Sequence, residues 1–456
     1  MVIDRKQRPA TSGNIYFTLP AVQTYGLEYD LKIYFSEKNE LPLIRINFLV
    51  NSGSRFDPDK LKGLSNLLAM CIDEGAGKYN ALQLADEFEM LGAQFSVSSD
   101  PDVTIISLQV LSENFVPALK LLASVITEPH LKEIDFNREK RKVLARLEQA
   151  KAEPDYVAEV SFEHILFGKD SPYAFPSLGI ESSVQNIQIK SVRDLYQKKF
   201  SPFNSSVVVV GNMNLKSLQT ELSEAFRNWG VKTTVEEPLL NFTRPKRKIF
   251  IINKNNALQT EIRTGHLSSK RSEKDFFQKQ IMNLALGGQF SSRLNLNLRE
   301  KNGYTYGIHS RFNYFKEAGY FAVSTSVDIE NTTNAIREIY SEINKIKDGI
   351  SKAELEFSKS SLTKRFPANF ETYRQIASNI SSKIINNLPE DYFETYIEKV
   401  NSVSLDEVNK VTFESIQPEE LITVLVGDSK TILGQINEVE FGERIVLEFE
   451  DVFKKQ

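Results

Sequence analysis

Residues 63–76 read GLSNLLAMCIDEGA, and the helix they open decides how the rest of the chain is read. On a wheel of about 100° per residue, Leu61, Leu64, Leu67, Leu68, Cys71 and Ile72 fall on one side. Asn66, Ala69, Met70 and Asp73 fall on the other. Asn66, Ala69 and Met70 stand at i, i+3 and i+4, a spacing that gathers three side chains on one patch. Two histidines and a glutamate on such a patch hold and use a zinc ion. Here the patch carries an amide, a methyl group and a thioether.

The chain around this helix has 456 residues, more than one hydrophobic core serves, so two or more domains are expected. It is 41% apolar and 25% charged, as in a soluble globular protein. A net charge of −4 gives no electrostatic reason to expect nucleic acid. The one short basic run, RPKRK at 244–248, reads as a solvated linker. A single cysteine excludes an intrachain disulfide and fits a reducing compartment. The first residues, MVIDRKQRPATSGNIYF, contain no apolar core of a signal peptide. The expected location is therefore the cytoplasm, or the periplasm if an export signal has been removed. No run of about 18 apolar residues occurs, so no membrane span is expected.

Two long stretches share a pattern. The first begins with an apolar strand at 41–54, then helices at 61–75 and 80–92, a strand pair within 94–111, and helices at 113–126, 133–151 and 156–166. It closes as helix, turn and buried strand through 191–214, ending near Gly211. The second closes the same way through 404–428, ending near Gly427. An internal duplication follows. The stretch around 229–247 is rich in Pro, Thr and charge and reads as a linker. The boundaries are thus 1–230, a linker at 231–247, and 248–456. Strands and helices come in mixed blocks, which points to α+β halves with largely antiparallel sheets.

The second half contains LALGGQFSSRLNLNLREKNGYTYGIHSRF at 284–312. It reads as a helix broken at Gly287-Gly288, resumed through SRLNLNLRE, broken again at Asn302-Gly303, and followed by a strand. Taken alone, the glycine pair is a helix C-cap and turn, Arg299 a helix-end ion-pair residue, and Tyr306 a strand aromatic.

These stretches together resemble the M16 metallopeptidases, the relatives of insulinase, pitrilysin and mitochondrial processing peptidase, over nearly the whole chain. Family members carry GLxHxxEHxxxxGT where this chain has GLSNLLAMCIDEGA. The first zinc-ligand histidine falls on Asn66, the general-base glutamate on Ala69 and the second histidine on Met70. A further ligand glutamate lies on a later helix, where VLARLEQAKAEP at 143–154 places Arg146. All of these positions are replaced between matching flanks. Asn and Met are poor zinc ligands, a guanidinium repels a dication, and no base remains to activate water. The four histidines, His130, His164, His266 and His309, have no local metal spacing. Arg146 is expected to pair with Asp73 or a nearby glutamate.

The second motif of the family, LREKxGxxYG, is intact as LREKNGYTYG and supplies Arg299 and Tyr306. The resemblance implies that this pair faces the zinc across a closed chamber. Tyr306 would donate to the tetrahedral oxyanion and Arg299 would position substrate, with Gly287 and Gly288 in the substrate-binding block. Ser292 and Arg293 would shape the turn.

The resemblance therefore implies two homologous M16-type (LuxS/MPP-like) domains forming half of a clam shell. It implies the subunit without zinc of a heterodimeric peptidase acting on oligopeptides. The zinc and the HxxEH motif would belong to a partner M16 subunit, no cofactor would be bound by this chain, and metalloendopeptidase activity would exist only in the complex. The alternative is a non-catalytic peptide-binding or assembly subunit, like the core proteins of respiratory complexes.

Overall fold

The computed structural model describes residues 18–27, 30–230, 237–238, 240, 242–436 and 441–454. The part of the expected linker at 231–236, and residues 239 and 241, lie outside the described residues.

The first half contributes strands β1 (Gln23–Gly26), β2 (Lys32–Glu37), β3 (Leu43–Val50), β4 (Gly75–Ala76), β5 (Tyr79–Asn80), β6 (Gln94–Ser99), β7 (Thr104–Leu111) and β8 (Ser205–Gly211). Its helices are α1 (Leu64–Cys71), α2 (Ala81–Met90), α3 (Phe115–Thr127), α4 (Glu133–Ala150), α5 (Pro154–Phe167), α6 (Glu181–Asn186), α7 (Ile189–Lys199) and α8 (Leu215–Ala225). The second half contributes β9 (Lys248–Asn253), β10 (Gln259–Ser268), β11 (Ile308–Tyr314), β12 (Gly319–Asp328), β13 (Ile422–Gly427) and β14 (Arg444–Leu447). Its helices are α9 (Phe276–Leu286), α10 (Thr332–Lys345), α11 (Lys352–Arg365), α12 (Tyr373–Ile385), α13 (Tyr396–Ser402), α14 (Leu405–Ser415) and α15 (Ser429–Gln435).

Two six-stranded sheets result, ordered β1-β2-β8-β3-β7-β6 and β11-β12-β10-β13-β9-β14. Most neighbours are antiparallel; β2–β8, β9–β13 and β9–β14 are parallel. Each sheet has one edge strand followed by its hairpin partner, β6–β7 and β11–β12, so the halves repeat each other. The architecture is the expected α+β pair of mostly antiparallel sheets.

The central strands are apolar on both faces, and the reason lies across the molecule. On β3 and β8, Ile44, Ile46, Phe48, Val207 and Val209 meet the first half's own helices. The opposite face, Leu49, Val208 and Val210, meets Ile376, Ala377 and Ile380 of α12, a helix from the second half. In exchange, α5 lays Val157, Ala158, Phe162 and Leu166 on Tyr320, Ala322, Val424 and Val426 of the second sheet. Side chains alternate across a strand, so one run of valines serves two cores.

Polar contacts fasten the exchange. Asn47 Nδ2 donates to Ser381 Oγ at 3.2 Å, and Tyr373 O–H donates to the Leu41 carbonyl at 2.9 Å. On the other side Arg263 is ion-paired with Asp155 and with Glu159 at 3.0 Å. Buried Arg55 reaches Asp102 at 3.1 Å and Glu237 at 2.5 Å. Tyr173 O–H and the Lys316 N–H both donate to Asp102, at 2.7 and 2.8 Å.

The basic run expected to be a solvated linker is partly structural: Arg244 pairs with Glu420 at 3.2 Å and Lys248 begins β9. No helix among the described residues is long and apolar enough to cross a membrane.

Candidate functional site

The helix α1 is shorter than expected, starting at Leu64, because Gly63 adopts a left-handed conformation with φ of 98°. Gly63 is also pressed against the loop before α6: a Cβ there would lie 2.8 Å from the Leu178 carbonyl oxygen. The start of α1 is held by buried Asp57, which precedes it in the chain. Its carboxylate accepts from the Gly63 N–H and the Ser65 N–H, both at 2.9 Å, and from Ser65 O–H at 2.5 Å. A carboxylate at this end satisfies free N–H groups and complements the helix dipole. Burial pushes the Asp57 carboxyl up to about 7, against the pull of the Ser65 and Gly63 hydrogen bonds and of Lys62.

Ala69 is buried, while Asn66 and Met70 are half-buried. The patch is therefore not the open face that the wheel alone describes. The Asn66 amide donates to the Met70 sulfur at 3.7 Å, a weak contact that leaves the rest of the amide open.

Helix α4 runs antiparallel to α1. Arg138, near its start, pairs with Glu74 just beyond α1 at 2.5 Å, and Asp73 feels the charges of Glu139 and Lys142. Leu147, near its end, shares a cavity with Gly179, which abuts Gly63 at the start of α1. Arg146 lies one residue before Leu147 on this helix. It is exposed, and the expected pairing fails: no ion pair or hydrogen bond joins Arg146 to Asp73 or to any other described residue. Lys142 and Arg138 take the carboxylate of Glu139 instead, at 2.8 and 3.1 Å.

An amide, a methyl group, a thioether and a guanidinium do not fit a zinc ion. Among the described residues no group of three His, Cys, Asp or Glu side chains is placed to hold a metal. His164 and His266 are core residues. His266 Nδ1–H donates to the Leu267 carbonyl and Nε2 accepts from the Gln417 N–H, and burial pushes the imidazole down to about 4.

The second motif is built differently. After α9, the Gly287 and Gly288 N–H groups both donate to the Asn283 carbonyl, at 2.9 and 2.7 Å. The Gly287 carbonyl accepts from the Ser310 N–H at the start of β11. A Cβ on Gly287 would meet that N–H nitrogen at 2.7 Å, so the glycine admits the strand. The resumed helix is a π-helix, Asn295–Lys301, a rare form concentrated at functional sites. Two amides secure it. Buried Asn295 donates to the Ile308 carbonyl at 2.6 Å, and Asn297 donates to Glu338 and Glu342 of α10 at 2.7 and 2.8 Å. Arg293 forks onto Glu354 at 2.6 and 2.8 Å, as befits a turn-shaping residue.

Arg299 leaves the last turn of this π-helix with its guanidinium 4.4 Å from the centre of the exposed Phe290 ring. Tyr306 is 94% exposed. Its loop is tied down on both sides, before it by the Tyr304 N–H, which donates to the Leu298 carbonyl at 2.9 Å, and after it by Asn295 at Ile308 and by Thr325 Oγ1, which donates to the Gly307 carbonyl at 3.0 Å. No hydrogen bond, ion pair or ring contact among the described residues links Arg299 or Tyr306 to Asn66, Ala69, Met70 or Arg146. The chain presents two separate groups. Asn295, Asn297 and Asp57 escape a reading of the sequence, since an isolated Asn or Asp looks the same in any turn.

Comparison with known proteins agrees with this geometry. The model described as "Insulinase (Peptidase family M16)" matches residues 34–170, and that described as "Peptidase M16 inactive domain" matches residues 186–362. The chain belongs to peptidase family M16. A relative from Helicobacter pylori named non-peptidase homolog YmxG is 23% identical over 87% of this chain and 92% of its own length. A Bacillus subtilis protein named as an uncharacterized zinc protease, YmxG, is 22% identical over 85% of this chain and 94% of its own. A solved M16 inactive domain from Pseudomonas fluorescens superposes with a TM-score of 0.84, covering 90% of this chain and 98% of that one at 24% identity. A chain of complex III2 from Candida albicans superposes at 0.76 with 15% identity, over 91% of this chain and 98% of that one. These structural likenesses establish the M16 fold.

Proposed function

We propose that this M16 chain is the subunit without zinc of a two-chain peptidase that cuts oligopeptides, and that it completes a site in an HxxEH-bearing M16 partner. The observation that carries the reading is Tyr306. Its ring stands almost wholly in solvent, its hydroxyl has no partner among the described residues, and its loop is fastened before it at Tyr304 and after it at Gly307 and Ile308. Such a hydroxyl is placed for a group that arrives from outside. In the complex it donates a hydrogen bond to the oxyanion of the scissile carbonyl. Arg299, steadied on Phe290, holds the substrate beside it. Gly287 and Gly288 would contribute backbone to the same substrate-binding block, their missing side chains letting Ser310 and Asn283 approach. The partner's zinc would polarise the same carbonyl from the other side. The names of the H. pylori homolog and of the P. fluorescens domain support a subunit that does not cleave alone. The pair would work in the cytoplasm, or in the periplasm if the chain is exported.

The test is reconstitution. The isolated chain should leave a quenched peptide intact, and addition of the HxxEH partner should give cleavage that a chelator stops. Tyr306→Phe should then lower kcat by about 10²–10³-fold, about 2.7–4 kcal/mol, with complex formation unchanged. An unchanged rate removes the transition-state role. Recovery of the native chain with no HxxEH partner gives its place to the other reading, a peptide-binding or assembly subunit.

A further inference from the structure

The end of the chain returns to the first half and closes a cavity there. After β14 comes a last short helix, α16 (Phe449–Val452), which packs on α5. Buried Val452 joins the core that holds Val157, Ala158 and Phe162. Phe449 and Phe453 stand one turn apart, and their rings meet edge-on with centres 5.8 Å apart. Phe453 continues onto the rings of His164 at 4.8 Å and Phe175 at 6.2 Å. The C-terminal segment is thus an aromatic strap across the first half.

The cavity beside this strap has a volume of about 290 Å3. Its walls include Leu147 from the end of α4, Tyr156 from the first turn of α5, Pro176 and Ile180 from the segment before α6, and both strap phenylalanines. Each wall is fixed from behind. Leu147 is rooted in the first core, and Gly179 presses its segment against Lys62 and Gly63. Val452 anchors the strap. The space is therefore preformed, as binding pockets for small molecules generally are.

Three properties define what fits. The first is size: an apolar cavity of about 150 Å3 takes a benzene ring, so this one has room for two fused rings. The second is charge. Lys151 and Lys454 border the cavity together with Glu181 and Glu450, and these charges cancel. Lys151 is ion-paired with Glu181, and Lys454 with Asp451 at 2.6 Å. The third is polarity. The six walls are mostly carbon, and water held against carbon gains little, so an apolar molecule that displaces it binds. Among these walls Tyr156 carries a hydroxyl, and it makes no hydrogen bond with any described residue.

We propose that this cavity is a binding site for a neutral, flat apolar molecule of about two fused rings with one hydrogen-bond acceptor, which the Tyr156 hydroxyl recognises. Because α4, α5 and the strap each supply a wall, the ligand also holds the C-terminal helix on the first half. The inference needs neither a partner subunit nor peptide, so it stands or falls apart from the shared-site reading.

The test uses the isolated full chain and prodan, a neutral naphthalene that carries a ketone and whose emission shifts to the blue in apolar surroundings. Titration of the chain into prodan should give a blue shift that saturates at one site per chain. Ser182→Trp places an indole at the cavity from an exposed position and should abolish the shift. Tyr156→Phe breaks no hydrogen bond within the chain and should weaken prodan roughly two- to tenfold, the range of one hydrogen bond. Amide exchange at 449–453 should slow when prodan is bound. The anilinonaphthalene sulfonate ANS, with a fixed negative charge on the same ring system, should bind more weakly than prodan. Absence of a saturable shift, or an undiminished shift in Ser182→Trp, overturns the site. If Ser182→Trp fails to fold by circular dichroism, unchanged exchange at 449–453 in the unaltered chain overturns it instead. Equal affinity in Tyr156→Phe overturns the acceptor-bearing class, and tighter binding of the sulfonate overturns the neutral one.

Discussion

The two motif regions of this chain have diverged in opposite ways. Around α1 the framework is complete and the chemistry is gone: Asp57 holds the helix start, Gly63 and Gly179 touch, and Asn66 and Met70 keep their one-turn spacing. Around Tyr306 the motif residues Arg299 and Tyr306 are kept, and the framework that holds them is the unusual part, a π-helix pinned by buried Asn295 and half-buried Asn297. The contrast teaches that ligand identity and ligand geometry are separable. A helix is kept by its buried face, and its outer side chains are free to change.

The largest effect should come from restoring the lost chemistry on the retained frame. The combined variant Asn66→His, Ala69→Glu, Met70→His and Arg146→Glu is expected to bind one equivalent of zinc, read by metal analysis after dialysis. Zinc below about a tenth of an equivalent would mean that the frame has drifted as well as the ligands. Buried Ala69 is the position most expected to resist, so the variant that keeps Ala69 is the control.

Next in size is damage to that frame. Gly179 has φ of 85°, and a Cβ there would lie 2.3 Å from the Lys62 carbonyl oxygen. Gly179→Ala should lower stability by about 3 kcal/mol in urea unfolding, through left-handed strain and a backbone clash. A loss under about 1 kcal/mol would mean that the loop shifts freely away from α1.

The third prediction concerns protons. Burial raises the Asp57 carboxyl to about 7, above its ordinary value of 3.8. A group whose folded pKa is raised contributes stability that is present below the unfolded value and is lost as pH rises through the folded one. Asp57 should therefore make the chain less stable at pH 8 than at pH 5, by on the order of 1–3 kcal/mol. Burial raises Glu163 to about 7 as well, which adds in the same direction. In Asp57→Asn the slope of stability against pH between 4 and 7 should flatten; an unchanged slope assigns the effect elsewhere.

The smallest effect tests the second region. Asn295→Ala removes the 2.6 Å bond to the Ile308 carbonyl and should cost about 1–3 kcal/mol. Amide exchange should quicken at Gly307–Ser310 and remain unchanged at α1. Uniform quickening across both regions would show that Asn295 supports the whole half rather than the Tyr306 loop.

Much of this architecture was legible in the sequence. The apolar run at 41–54 and the valines before Gly211 announced buried strands, and the repeated helix-turn-strand endings announced the duplication. Replaced ligands between intact flanks were visible residue by residue. What the pattern could not carry is which sheet an apolar face meets. The leucines of α1 and the isoleucines of α12 look alike, yet one set stays home and the other crosses to the opposite half. The partner of Arg146 was misjudged because Glu139, a carboxylate on its own helix, is already taken by Arg138 and Lys142. Asp57 and Asn295 act through backbone groups further along the chain and Asn297 through two carboxylates of α10, and nothing local marks them.

The exchange of α5 and α12 also has a consequence in time. During synthesis the first sheet is complete once β8 has emerged, but the helix that covers its inner face begins only at Tyr373. At about 5–20 residues per second, the roughly 160 residues between the end of β8 and α12 take on the order of 8–32 s to make. Through that interval Leu49, Val208 and Val210 have no cover. The nascent chain is therefore at its stickiest midway through translation, and a ribosome that stalls between the two halves would release a fragment that aggregates rather than a half-protein that folds.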